Sequence, residues 1–502
     1  MNIVFRVDAS EEIGTGHLMR CLTLAEELKR RGIRTRFVMR KLPDPARDIL
    51  RAKGHENIVL NGKDSDSNSG DLAHSHWLGV TQEADANDTL RALGKEDWDW
   101  LMVDHYALDA RWESAVRPHV KKIMVIDDLA DRIHDCDLLL DQNFFTDMSS
   151  RYTGKVSEQC QLLLGPRYAM LRKEFHDMRV KAKVRESPVK RILVFFGGVD
   201  SANYTGLAVK TLSDQSQDGL QVDVVIGALH PYRKTIESEC AAFGFNCHIQ
   251  TERIAELMAE ADLSIGSGGS SVWERCCMGL PTFAICAAEN QRKQLRDAGT
   301  EGFVYTVEME ADLSAKIKRH LRTLLENPSL RYLISNNSLK AVDGRGVARV
   351  VRALDCRTIN VRPARDIDSE NVFAWRNHPS VKKNSPNPET ITWNGHQKWL
   401  SAVLASNDKL LLIGERLNAS VGVVRFDVKD KEAEVSIYLV PGLDEPGLGG
   451  ELLRSAELWL AENRPDIIRI HANVLGANKH SQNFFLEHKY QKERICYVKE
   501  VR

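Results

Sequence analysis

No run of about 18 apolar residues occurs in the 502-residue chain, so no transmembrane helix is expected. An excess of charge of either sign is also missing. The formal net charge is -1, and no basic footprint argues for nucleic acid. Cysteine is sparse for this length. Ten cysteines stand without the paired CxxC spacing of a zinc site and without the density of a disulfide scaffold. Cys276-Cys277 and Cys286 lie in apolar segments and read as buried thiols. The opening residues, Met1-Asn2-Ile3-Val4-Phe5-Arg6-Val7-Asp8, run straight into a strand pattern, with no secretion signal. The expected setting is the reducing cytoplasm, with neither membrane nor nucleic acid as a partner. The length predicts several domains of about 100–200 residues each.

What is present is organised around Ile13-Gly14-Thr15-Gly16-His17-Leu18-Met19-Arg20. An apolar run at 3–7 before it reads as a strand. After it, Leu18, Cys21, Leu22, Leu24, Ala25 and Leu28 recur at helical spacing over 17–30. Glycines between strand and helix let the backbone bend sharply and approach a ligand. The helix N-terminus behind them suits a phosphate. Gly14 and Gly16 also fit a plain tight turn, and His17 fits either a capping histidine or a group that takes a proton near neutral pH. A dinucleotide fingerprint would need a glycine at Met19 and an acidic residue about 20 positions on, and the stretch has neither.

Residues 1–145 alternate short apolar strands with helical patterns, the mark of a parallel α/β sheet. Strands are expected at 3–7, 36–39, 100–103, 122–126 and 138–140. Several end in polar groups: Asp8, Asp104-His105-Tyr106, Asp127-Asp128 and Asp141-Gln142-Asn143. In open parallel sheets ligands bind at the carboxyl ends of strands, so these groups point to one crevice. Asp127-Asp128 equally suits helix capping and turn formation. Residues 61–71 read as a polar surface loop. His74 and His76 at i, i+2 would suit a metal on a strand, but no third ligand stands nearby and no metal is expected.

A linker at Glu186-Ser187-Pro188 leads to a second α/β unit. Its strand at 191–196 runs into Gly197-Gly198. Further strands are expected at 222–226, 261–265 and 280–285. The loop Gly266-Ser267-Gly268-Gly269-Ser270-Ser271 opens a helix and is the best phosphate cradle in the chain, a flexible turn being the alternative. Beyond Arg357 the pattern becomes an antiparallel meander at 410–413, 420–427 and 434–440. Gly447-Leu448-Gly449-Gly450 then precedes a helix at 451–462, a strand at 467–474 and a helix at 479–488. The expected architecture is α/β: two Rossmann-like domains, 1–145 and 146–350, followed by an α+β domain at 357–502.

A series of stretches, in order, is specific: Gly14-Thr15-Gly16-His17, Trp77-Leu78-Gly79-Val80, Asp104-His105-Tyr106, Ile126-Asp127-Asp128-Leu129-Ala130, Leu164-Gly165-Pro166-Arg167-Tyr168, Phe196-Gly197-Gly198-Val199-Asp200, Gly268-Gly269-Ser270-Ser271-Val272-Trp273-Glu274 and Glu289-Asn290-Gln291. On these the first part of the chain resembles the UDP-sugar hydrolases of pseudaminic acid biosynthesis, which act on UDP-2,4-diacetamido-2,4,6-trideoxy-β-L-altropyranose. The resemblance implies a glycosyltransferase-B type fold, His17 as general base and Asn290 on the substrate.

The last part resembles the GNAT acetyltransferases. Gly447-Leu448-Gly449 matches the loop that holds the pyrophosphate of acetyl-CoA, and Gly450 continues it. Asn478, Ser481 and Phe484-Phe485 match the second motif, ending at Tyr490. Trp375-Arg376-Asn377 resembles acetyltransferases acting on amino sugars. Two positions depart from the pattern. Asp444 stands for the usual Gln or Arg, and Phe485 for the tyrosine that many relatives use as general acid, which leaves Tyr490, Tyr497 or water as the source of the thiolate's proton.

The chemistry follows from the leaving group. A nucleoside diphosphate leaves as a stable anion, so the strong acid most glycosidases need is dispensable. The needs are a base for water, donors for growing phosphate charge, and contacts that orient the sugar. His17 fits the first need. The N–H groups of Gly268, Gly269, Ser270 and Ser271 fit the second without metal. Glu274 is placed for ribose hydroxyls, and Asn290 and Gln291 for the sugar. Gly14, Gly16, Asp104 and Gly198 are further expected substrate contacts. Water attacking opposite the UDP would invert the anomeric centre. The expected co-substrate of the last domain is acetyl-CoA, used on the 4-amino precursor of the same UDP-amino sugar. Two other readings stand: a UDP-sugar-dependent glycosyltransferase, and a non-catalytic nucleotide-sugar sensor.

Overall fold

The computed structural model describes the chain apart from residues 11, 61–70, 215–218, 288, 308–312, 355–358, 386, 388, 417–418, 444 and 494–502, and apart from the side chains of 290 and 313. It divides into two compact units, Met1–Val350 and Val351–Arg502. Among the described residues no helix is long and apolar enough to cross a membrane.

The first unit holds two parallel sheets. The strands of the first are β1 (Asn2–Val7), β2 (Arg34–Met39), β3 (Glu56–Val59), β4 (Trp98–Asp104), β5 (Val120–Ile126), β6 (Leu138–Asp141) and β7 (Gln161–Leu164), in the order β3-β2-β1-β4-β5-β6-β7. The second has β8 (Arg191–Phe195), β9 (Gln221–Ile226), β10 (Asn246–Ile249), β11 (Leu263–Ser267), β12 (Thr282–Ile285) and β13 (Tyr305–Thr306), in the order β10-β9-β8-β11-β12-β13. Both are doubly wound Rossmann sheets whose strand order reverses beside the first strand of each. Central strands covered on both faces are apolar along their length. Ile3, Val4 and Phe5 of β1 are fully buried, as are Leu193 and Val194 of β8.

β1 also buries a charge. The Arg6 guanidinium is wholly enclosed, 2.7 Å from Asp8 and 2.7 Å from Asp85, a residue of the helix Gln82–Leu93. Asp85 further accepts from Arg40 Nε at 2.8 Å and Trp112 Nε1 at 3.0 Å.

The first sheet takes its seventh strand from Gln161–Leu164, past residue 145 where the composition changes. The expected end of the first domain there is corrected, because the chain returns to β6 after its excursion at 142–160. Residues Ser75–Trp77 form one turn of 3-10 helix rather than a strand, so the geometry that put His74 and His76 on one strand face does not arise. The expected loop at 61–71 lies outside the described residues except for Asp71.

The second unit carries one sheet, β14 (Asn360–Pro363), β15 (Lys409–Arg416), β16 (Ala419–Lys429), β17 (Glu432–Leu439) and β18 (Arg469–His471), in chain order. β14 to β17 pair antiparallel, whereas β17 and β18 run parallel. The helix Leu448–Asn463 packs Leu448, Leu452, Leu453, Ala456 and Leu460 against one sheet face. The helices Ser369–Asn377 and Trp393–Leu404 pack Val372, Leu400 and Val403 against the other. β17 pairs with β18 only over 432–434, so among the described residues 435–439 has no ladder partner on that edge. The strand expected at 467–474 is correspondingly short.

Candidate functional site

β1 and β4 lie side by side where the first sheet's strand order reverses. Open α/β sheets place ligands in the crevice outside that point. Gly14 has φ +76°, a left-handed value that favours glycine, and its N–H donates to the Ser10 carbonyl at 2.8 Å. The chain thereby turns into the helix Gly16–Arg30, with Gly16 exposed at its first position.

His17 follows in that first turn and is 8% exposed. Its Nδ1 lies 2.5 Å from Asp104 Oδ1. Arg20, one turn on, donates from Nε to Asp104 Oδ2 and from Nη2 to Oδ1, both at 2.6 Å. Burial pushes the Asp104 carboxyl up, but Arg20 and then His17 outweigh it and hold the group well below the usual carboxylate range. Arg20 Nη2 also lies 3.1 Å from His17 Nδ1, so Asp104 and Arg20 together fix that edge of the ring. The described residues offer Nε2 no hydrogen-bond partner. Asp104, expected as a substrate contact, thus stands behind His17 with both oxygens engaged.

The network continues. Arg20 Nη1 reaches Asp128 Oδ2 at 3.0 Å, and the Tyr106 hydroxyl donates to Asp128 Oδ1. Asn143 Nδ2 donates to Asp128 Oδ2 at 3.2 Å. The Asn143 side-chain Oδ1 accepts from Trp273 Nε1 at 2.8 Å, which links the first sheet to the second. Aromatic rings wall the site. Tyr106 meets His17 edge-on at 4.6 Å, Trp77 stacks on Tyr106 at 5.5 Å, and His74 lies 4.5 Å from Trp77.

Beside Asp128 sits Asp141, which accepts from the Asn143 N–H at 3.0 Å and the Tyr152 hydroxyl at 3.0 Å. Burial and then Asp128 raise its pKa from 3.8 to about 7, against the Asn143 N–H and Arg151. The folded carboxyl keeps its proton where the unfolded one has lost it. Between these values the native state binds more protons, so stability falls as pH rises through the window and stays reduced above it. Asp141→Asn is therefore expected to raise the melting temperature above pH 7 by about 2–4 °C and to change it little near pH 4. A melting series against pH checks this, and an equal shift at both ends would contradict it.

In the second sheet, Gly197 has φ +97°, and the exposed Gly198 presents its carbonyl to the Gly227 N–H at 3.1 Å. A Cβ on Gly227 would lie 2.2 Å from that carbonyl, so the ends of β8 and β9 meet backbone to backbone. After β11, Gly268 is buried against Leu295, which a Cβ would meet at 2.3 Å. Gly269 faces Gln291 Nε2, Ser270 is exposed, and Ser271 begins the seven-residue helix Ser271–Cys277. Glu274 is half-buried and accepts from Arg172 Nη2 at 3.3 Å. Burial raises its pKa more than Arg172 lowers it. Gln291 Oε1 accepts from the Ala287 N–H at 3.3 Å. The Asn290 side chain lies outside the described residues.

In the second unit Gly447, φ +84°, caps the helix Leu448–Asn463 beside the unpaired stretch of β17. A Cβ on Gly450 would come within 2.1 Å of His488 Nε2, whereas one on Gly449 would meet Phe484 at an ordinary 3.4 Å. Asn478 caps the helix Lys479–Glu487 by accepting from the Ser481 N–H at 3.0 Å, so both expected cofactor contacts also hold a helix start. Phe485 packs on Tyr490 at 5.0 Å, and the Tyr490 hydroxyl is committed to Glu457 at 2.6 Å. Asp444 and Tyr497 lie outside the described residues.

Arg20 and Trp273 are the members of the network that the sequence reading left without a role, and Asp128 and Asn143 had only a place among the strand-end groups. Arg20 stands one helical turn after His17, and Asp128 and Trp273 lie inside the motifs quoted above. Asn143 had the faintest signal, two residues beyond Asp141 at a strand end.

Comparison with known proteins gives four further findings. The family described as Acetyltransferase (GNAT) domain matches residues 358–488. An uncharacterised protein of Methanocaldococcus jannaschii is 24% identical over 460 residues, 87% of this chain and 86% of its own length. The UDP-2,4-diacetamido-2,4,6-trideoxy-beta-L-altropyranose hydrolase of Campylobacter jejuni is 24% identical over 313 residues, 60% of this chain and 98% of its own. Among solved structures, UGT2 of Phytolacca americana, complexed with UDP-2fluoro-glucose and pterostilbene, matches with a TM-score of 0.51 at 11% identity, covering 70% of this chain and 98% of that one. The fold is therefore a glycosyltransferase-B type pair of Rossmann sheets followed by a GNAT acetyltransferase domain.

Proposed function

We propose that the first unit hydrolyses a UDP-linked diacetamido sugar to UDP and the free sugar, and that the second acetylates the 4-amino precursor with acetyl-CoA. The observation that carries the first half is the His17–Asp104 pair at the switch point of the first sheet. Asp104 holds the Nδ1 proton, Nε2 takes a proton from water, and the resulting hydroxide attacks the anomeric carbon opposite the UDP. Inversion follows, and UDP leaves as a stable anion. The N–H groups around Gly268, Gly269, Ser270 and Ser271 take the diphosphate charge, Glu274 the ribose, and Asn290 and Gln291 the sugar. The similarity to the Campylobacter jejuni hydrolase supports this assignment.

For the second half the support is the GNAT match together with the glycine turn Gly447-Leu448-Gly449-Gly450 at a helix start. Pyrophosphate lies against the N–H groups of that start. The thioester enters beside 435–439, where β17 has an open edge. Tyr490 is held by Glu457, so the departing thiolate takes its proton from water.

The deciding experiment incubates the protein with UDP-4-amino-4,6-dideoxy-N-acetyl-β-L-altrosamine, with and without acetyl-CoA, and follows products by mass and NMR. Acetylation followed by release of UDP and free sugar without any added acceptor is expected. Release only with a sugar acceptor would make the first unit a glycosyltransferase, and no turnover would make it a sensor.

The halves should be separately addressable. Gly449→Asp puts a carboxylate against the pyrophosphate, and only Phe484 at ordinary distance meets the new Cβ. Acetyl-CoA affinity should fall by about tenfold, measured by calorimetry, with UDP release from the preformed diacetamido substrate unchanged. A parallel fall in hydrolysis would show that the two activities are coupled.

A further inference from the structure

We propose that Asn143 is a positioning residue that ties the His17 network to the helix carrying the glycine–serine turn. This rests on the hydrolase reading of the first unit. Asn143 follows β6 and is 7% exposed, while Trp273, in the helix Ser271–Cys277, is wholly buried. The side-chain amide spends one end on each half of the unit. Its Nδ2 donates to Asp128 Oδ2 at 3.2 Å, and its Oδ1 accepts from Trp273 Nε1 at 2.8 Å. From Asp128 the path runs through Arg20 to Asp104 and His17 by contacts of 3.0, 2.6 and 2.5 Å. Each step joins fixed, mostly buried groups, so a shift of the helix behind the diphosphate-binding turn is passed to the base by five side chains. A displacement of about 1 Å at the reacting atoms is enough to lower a rate strongly. The same contact positions Nε2 over the anomeric carbon only when the two halves stand in the right relation.

Amide chemistry is essential here, because the residue must donate to a carboxylate and accept from an indole at once. Asn143→Asp keeps the shape and the acceptor but loses the donor. The new carboxyl would face Asp128, which also holds Arg20 and the Tyr106 hydroxyl, while Asp141 stays on the residue's backbone N–H with Arg151 beside it. Ionised, it repels Asp128; protonated, it donates as the amide did.

The test uses the full chain and the UDP-diacetamido sugar. Asn143→Asp should stay folded and bind UDP within about threefold of wild type, yet lose about tenfold or more in kcat at pH 8. Its rate relative to wild type at the same pH should recover at least partly as pH falls toward 6. Asn143→Ala and Trp273→Phe should each lower kcat, and the double variant should be no worse than the poorer single, since both cut one path. If Trp273→Phe does not fold, the two Asn143 variants decide alone. Wild-type kcat in Asn143→Ala, a loss seen only as weaker UDP binding, a pH-independent deficit in Asn143→Asp, or additive losses would overturn the proposal. Failure of wild type itself to release UDP would instead overturn the hydrolase reading.

Discussion

His17→Asn should lower kcat for UDP release by about 10²–10⁴-fold while leaving the fold and UDP affinity in place. The ring is held from one side only. Nδ1 faces Asp104 at 2.5 Å, and Nε2 has no partner among the described residues. Asparagine can still donate toward Asp104, so the buried carboxylate and Arg20 stay satisfied and the melting temperature should hold. What is lost is the ring nitrogen that the proposed mechanism uses to take a proton from water. A coupled assay for UDP release, run beside a UDP titration, reads both parts. Should the variant keep more than about a tenth of the wild-type kcat, His17 is not the base.

The second large effect is on stability. Asp85→Ala should destabilise the first unit by about 3–5 kcal/mol, measured by denaturant unfolding. Asp85 is fully buried and serves two guanidiniums at once, Arg6 at 2.7 Å and Arg40 at 2.8 Å. Arg6 lies inside the central strand with no route to water, and only Asp8 would remain to it. Removing one partner of a buried ionic cluster leaves charge uncompensated, which is far worse than losing a surface pair. Burial raises the Asp85 pKa, yet Arg6 and Arg40 prevail and keep it below the ordinary value. Its contribution is therefore present above the carboxylate range and fades as pH falls below it. Asp85→Asn, which keeps the shape and one acceptor, should lose less. Equal losses in the two variants would mean that packing rather than charge dominates.

The central strands were legible because both faces are buried and the run is apolar throughout, as in Ile3-Val4-Phe5 or Leu138-Leu139-Leu140. Strands at sheet edges were not. Asn246-Cys247-His248-Ile249 is half solvated and mixes polar with apolar residues, and Glu56-Asn57-Ile58-Val59 does the same. Neither carries a periodicity that distinguishes it from a loop. The glycine turns were legible, since bend and helix start are local properties. The wiring of the site was beyond local reading. Arg20 meets residues 84 and 108 positions away, and Asn143 meets Trp273 at a distance of 130 positions. Asp104 was found from its motif, but only the three-dimensional arrangement reveals that it serves His17 from behind.

The late return of β7 to the first sheet bears on how this chain folds and on how it should be cut. Between β6 and β7 the backbone leans on the second sheet's half, where Thr146 donates to Asp297 at 3.0 Å and Asp147 pairs with Lys293 at 2.9 Å. A polypeptide truncated at residue 145 therefore loses both the strand and its anchor. β6, with all four residues buried, would then be an open, apolar sheet margin. Such margins template intermolecular pairing. Expressed alone, that piece should aggregate rather than behave as a small stable domain, and a nascent chain would carry the same hazard until roughly the first 300 residues have emerged for Asp297 to take hold.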